Sequence, residues 1–102
     1  MAQVGYTPDI ARLYVLTHPV RIKIGKILID SRGLFIYEVE ERIKKFGIDL
    51  EKKIVSYHLM RLEHFGLVKT YLKETERKDM PAARFIEPTE EMYKTFAVIE
   101  RE

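Results

Sequence analysis

Cysteine, tryptophan and asparagine are all absent from this 102-residue chain, and Gln3 is its only glutamine. Without cysteine there is no disulfide, no thiolate metal site and no thiol nucleophile. Scarce amides beside 33% charged residues form a composition typical of proteins working at high temperature. No N-terminal stretch joins a basic start to an apolar run, so no signal peptide is expected. Apolar runs extend over only a few residues, far short of a membrane span. The five glycines are dispersed. Gly25, Gly33 and Gly47 lie too far apart for a phosphate-cradling loop. The expectation is a cytoplasmic protein with no membrane partner.

What is present fits one small core. Apolar residues make up 46% of the chain, and the length leaves no room for a second domain. The net charge is only +2, but it is unevenly placed. Residues 50–85 hold 8 basic and 5 acidic side chains, whereas residues 86–102 hold 2 basic and 5 acidic. A polyanion is therefore attracted to the middle of the chain and not to its end.

Punctuation by proline and glycine divides the chain into short elements. Thr7 and Pro8 open a first helix along Ile10, Leu13 and Tyr14. Pro19 opens a second, with Ile22, Ile27, Leu28 and Ile29 as its apolar positions and Gly33 as its end. Leu34 to Ile36 suit one small strand. Val39, Ile43 and Phe46 mark a third helix closed by Gly47. A fourth spans about residues 50–66, with Val55, Leu59 and Leu62 buried and Gly66 as cap. Residues 67–87 read as a hairpin, with β-favouring residues up to Leu72, a polar turn before Pro81, and a return from Arg84 to Ile86. Thr89 caps a last helix over residues 89–101. The order is helix, helix, strand, helix, helix, hairpin, helix. This is a mainly α chain in the order of a winged helix-turn-helix, with a two-stranded β-hairpin wing.

Leu50 to Thr70 carries the chemistry. Helical spacing turns Val55, Leu59 and Leu62 inward, and sets Lys52, Lys53, Ser56, Tyr57, Met60 and Arg61 mostly on the opposite side. An α-helix fits the major groove of B-DNA, where exposed side chains meet bases and phosphates. Arg61 suits guanine or phosphate, Ser56 a phosphate oxygen, and Tyr57 offers a hydroxyl and an apolar face. Lys52 and Lys53 lie near the helix start, where the dipole also favours an anion. A solvated helix face is the ordinary use of such a charge run, and periodicity alone leaves both alternatives open.

The same residues resemble a known family. Val55-Ser56-Tyr57-His58-Leu59, then Leu62, then Phe65-Gly66-Leu67-Val68 is similar to the recognition-helix signature of ArsR-type winged-helix repressors. Leu16-Thr17-His18-Pro19-Val20-Arg21-Ile22 resembles that family's second-helix opening, and the likeness runs over residues 10–87 in order. The resemblance implies double-stranded DNA as partner, Ser56 and Tyr57 facing it, and His58 seating the helix. It also implies Arg77, Lys78 and Arg84 on a wing reaching phosphate or the minor groove. The helix opening Leu50-Glu51-Lys52-Lys53 departs from the small polar residues of the family. The family's first and last helices pair about a two-fold axis. This implies a homodimer through helices 8–17 and 89–101, using Ile10, Leu13, Tyr14 and Leu16 with Met92, Tyr93, Phe96 and Ile99; the alternative use of both stripes is to fold back on their own core. The family's metal sites use cysteine pairs, or histidine and acidic sets on the last helix. Neither exists here, so no metal and no cofactor are expected, and the effector is unknown.

Other features read as structural. His18 stands at a helix start as a cap or packing residue, and His58 as a hydrogen-bonded structural residue. His64 does not share its helix face. Glu38, Glu40 and Glu41 beside Arg42, Lys44 and Lys45 read as an exposed, salt-bridged face. No nucleophile, metal set or cofactor fingerprint points to an enzyme. The alternative function is a winged helix used for protein–protein contact in a larger complex. A continuous positive face over Lys52, Lys53, Arg61 and the wing separates the two.

Overall fold

The computed structural model describes residues 8–100; Thr7, the expected first cap, lies outside them. The elements are α1 (Pro8–Val15), α2 (Pro19–Ser31), β1 (Leu34–Phe35), α3 (Ile36–Lys45), α4 (Lys52–His64), β2 (Val68–Glu74), β3 (Ala82–Pro88) and α5 (Glu90–Glu100). β2 and β3 form the wing hairpin, with Thr70 opposite Ile86 and Leu72 opposite Arg84. β1 joins the other edge of β3, pairing Leu34 with Ile86 and Phe35 with Phe85. The sheet is therefore three-stranded and antiparallel, in the order β1-β3-β2.

Local chemistry explains the joints. His18 caps α2 through Nδ1, which accepts from the Val20 N–H at 3.2 Å, and Pro19 occupies the first turn. α2 ends where Arg32 turns left-handed (φ 64°), one residue before the expected Gly33. Gly33 itself has φ 132°, and a Cβ there would stand 2.8 Å from the Phe85 ring. Glycine lets the chain enter β1 beneath that ring. At the start of α3 the Phe35 N–H donates to Glu38 Oε1 at 2.9 Å. The dense charges of α3 do not pair as expected: among the described residues no ion pair lies on that helix. Thr89, expected as a helix cap, donates its hydroxyl to the Gly66 carbonyl at 2.6 Å. That bond ties the start of α5 to the end of α4.

All five helices and the sheet bury one core. Ile24 and Leu28 of α2, Val39 and Ile43 of α3, Val55, Leu59 and Leu62 of α4, and Ile86 of β3 form its centre. Each such side chain contributes about 1.5–3 kcal/mol by leaving water. The terminal helices close over it. Arg12 of α1 donates Nε to the Phe65 carbonyl and NH1 to Glu91 of α5, both at 3.1 Å. α5 approaches α2 at Gly25, where a Cβ would lie 2.6 Å from the Phe96 ring.

This packing corrects the expected use of the terminal helices. Leu16 and Met92 are fully buried, and Phe96 keeps only 4% of its surface. Ile99 also packs against the core. Leu16, Met92 and Phe96 complete the core of their own chain, and Ile99 stays partly exposed at its edge. The large apolar residues left exposed there are Ile10 (46%), Tyr14 (65%), Tyr93 (41%) and Val98 (42%), with Leu13 half-buried beside Val98. No helix among the described residues is long and apolar enough to cross a membrane.

Candidate nucleic-acid interface

α4 divides its two sides sharply. Val55, His58, Leu59 and Leu62 are buried, a spacing of three and four residues that puts all of them on one stripe. Lys52, Lys53, Ser56, Tyr57 and Met60 are exposed. The helix begins without a side-chain cap and without an acidic residue in its first turn. Lys52 and Lys53 occupy that turn, where the helix dipole disfavours cations. Lys53 approaches Glu51 at 3.5 Å, an exposed pair that contributes little. Folding thus gains little from these two ammonium groups, and both stay available to an external anion.

His58 anchors the helix from behind. Its Nδ1 accepts from Arg21 Nε of α2 at 3.1 Å, and its ring lies 4.6 Å from that of His18. Burial, then the neighbouring His18 and Arg21, hold its pKa below the ordinary 6.5. A depressed histidine pKa means that the unfolded chain binds the proton more readily than the folded one. Stability is therefore fully present above pH 6.5 and declines as pH falls through that value. Urea unfolding at about pH 7.5 and about pH 5.5 is expected to show this loss in wild type. His58→Gln should flatten it, and an unchanged slope in the variant would exclude His58 as its source.

Not every residue expected on this face is free. Arg61 is half-buried on the flank of α4. Its guanidinium lies over the Phe65 ring at 5.2 Å, and its Nε is buried without a hydrogen-bond partner. Arg77 is engaged more completely. It grips Asp79 through Nε (3.2 Å) and NH2 (2.8 Å) and lies over the Tyr37 ring at 4.7 Å. That grip keeps the Asp79 carboxyl below its usual range. Thr75 closes the same turn, its N–H donating to the Pro81 carbonyl at 2.9 Å and its hydroxyl to the Met80 carbonyl. Arg77 thus shapes the wing tip, while Lys78 beside it is exposed.

Arg84 lies nearer the helix. Its NH1 donates to the Thr70 hydroxyl at 2.9 Å, and that hydroxyl donates to Glu63 of α4 at 3.0 Å. This chain links the wing to the exposed side of α4. Sequence reasoning missed Glu63 and Thr70, since only the fold brings them together. It also passed over Lys23, whose Nζ lies 4.6 Å from the exposed Phe46 ring in the turn before α4.

No protein-family model and no curated protein matches the sequence. Solved structures do match the fold. A transcriptional regulator homologue from Pyrococcus horikoshii superposes with a TM-score of 0.67 over 93% of each chain, at 20% identity. A regulator assigned to the MarR family, from Enterococcus faecalis, reaches 0.69 over 98% of this chain and 84% of that one, at 14% identity. An ArsR-family transcriptional regulator reaches 0.66 over 93% and 90%, at 15% identity. The fold is that of winged-helix transcriptional regulators. ArsR, MarR and PadR families are all represented among the matches, so the fold does not single out the ArsR-type resemblance.

Proposed function

We propose that the protein is a sequence-specific double-stranded DNA-binding transcriptional regulator that acts as a homodimer. One observation carries this: the outward side of α4 is exposed and basic at its start, its other side being committed to the core. Lys52 and Lys53 take phosphates. Ser56, Tyr57 and Met60 face the base edges of the major groove. Lys78 and Arg84 add backbone contacts from the wing. Arg61 and Arg77 contribute from the margin, since both are held by internal contacts. The basic surplus of residues 50–85 supports this assignment over a protein-contact surface, because phosphate contacts dominate affinity for duplexes.

The dimer uses Ile10, Leu13 and Tyr14 of α1 with Tyr93 and Val98 of α5. An exposed apolar set on two neighbouring helices marks an interface. A two-fold arrangement sets two α4 helices one helical turn of DNA apart and calls for a near-palindromic site. Sedimentation of wild type at micromolar concentration should give a dimer, and Tyr14→Glu a folded monomer with weaker duplex binding. Anisotropy titration of genomic duplex fragments at two salt concentrations should show selective binding that weakens steeply with salt. A wild type that binds no fragment at low salt defeats the DNA assignment, and one that sediments as a monomer defeats the dimer.

A further inference from the structure

A groove of about 310 Å³ runs between α4 and the sheet. Ile36, Leu59 and Ile86 make an apolar floor, and Met60 forms a rim. One wall is polar and carries both signs of charge. Arg84 and Glu63 flank the Thr70 hydroxyl, the first donating to it and the second accepting from it. A guanidinium and a carboxylate thus meet the groove on either side of a single oxygen atom. Neither has an ion-pair partner among the described residues. Arg84 uses one of its five N–H donors in the Thr70 bond, and only one Glu63 oxygen is engaged there.

A complementary molecule must present an anion and a cation on neighbouring atoms, followed by an apolar body. The volume lies at the small end of ligand clefts, about 300–1,000 Å³, which favours a metabolite over a large cofactor. A phosphate ester meets repulsion from Glu63, and a simple fatty acid leaves that carboxylate unmatched. A free α-amino acid satisfies each requirement, since its carboxylate and ammonium share one carbon. We infer that this groove binds a free amino acid with an apolar side chain. Its carboxylate pairs with Arg84 in a bidentate fork, its ammonium donates to Glu63, and its side chain covers Leu59 and Ile86. The regulatory consequence rests on the DNA-binding assignment above. Ser56 lines the same groove, and Arg84 serves both ligands, so a bound amino acid competes with the duplex.

Methyl NMR of protein labelled at methionine and leucine tests the site without DNA. L-leucine should shift the Met60 and Leu59 methyl signals saturably, with Kd about 1 mM because both charged partners are solvent-exposed. L-leucinamide lacks the carboxylate and N-acetyl-L-leucine lacks the ammonium, so each should bind about tenfold more weakly. Arg84→Gln should erase the preference over the amide, and Glu63→Gln the preference over the acetyl compound. Equal shifts with all three compounds, or shifts that never saturate, overturn the site, and this comparison needs no variant. In the second arm, L-leucine at ten times its Kd should weaken duplex affinity about a hundredfold, about tenfold for each of the two grooves in the dimer. An unchanged affinity overturns the competition. Saturable leucine binding by a protein that binds no duplex sinks the DNA assignment and leaves the amino-acid site standing.

Discussion

Replacing Lys52 and Lys53 together by glutamine is expected to weaken duplex binding by at least about a hundredfold at about 0.1 M salt. A dimer without these ammonium groups loses four phosphate contacts. Each contact contributes about 0.9 to the slope of log affinity against log salt, so the slope should become shallower by three to four, roughly. The loss should be similar for cognate and unrelated duplexes, because phosphate contacts carry no base information. Fold stability should hold or rise slightly. Both side chains are exposed, and the first turn of a helix disfavours positive charge. Anisotropy at several salt concentrations, with melting curves as control, reads all three quantities. A double variant that binds like wild type with an unchanged slope would show that α4 does not lie on the phosphate backbone.

Phe96→Ala is expected to be the most damaging of the substitutions considered. The ring keeps only 4% of its surface and lies where a Cβ on Gly25 would meet it at 2.6 Å. Truncation leaves a cavity between α2 and α5, which costs about 3–5 kcal/mol. Domains of this size are stable by only about 5–15 kcal/mol, so the melting temperature should fall by at least about 12 °C. The loss should not depend on protein concentration, since the cavity opens inside one chain. A loss that disappeared at high concentration would instead assign Phe96 to the interface. Tyr14→Glu should behave in the opposite way, altering association more than folding.

These two cases mark where sequence reasoning succeeds and where it stops. The stripe of Val55, Leu59 and Leu62 was legible because a helix repeats every 3.6 residues, whatever it packs against. The outward position of Lys52, Lys53, Ser56 and Tyr57 followed from the same geometry. The terminal helices were harder. On α5, Met92, Phe96 and Ile99 share one stripe, while Tyr93 lies about a quarter of a turn away. Both are apolar, so periodicity does not say which meets the core and which meets solvent. The choice was made by Gly25, which opens a slot in α2 for the Phe96 ring. Likewise, Arg61 and Arg77 read as free cations until Phe65, Tyr37 and Asp79 were placed beside them.

The order of elements, the buried stripe of α4 and the absence of thiol chemistry were determined by the sequence alone. They depend on residue type and on spacing over a few positions, which local backbone geometry translates directly. Tertiary structure decided which arginines stay available, which apolar residues of α1 and α5 remain exposed, and that Glu63, Thr70 and Arg84 meet at one groove. Those outcomes depend on contacts between segments far apart in the chain. A side chain's partner there is set by how the helices and the sheet pack, and no local pattern encodes it.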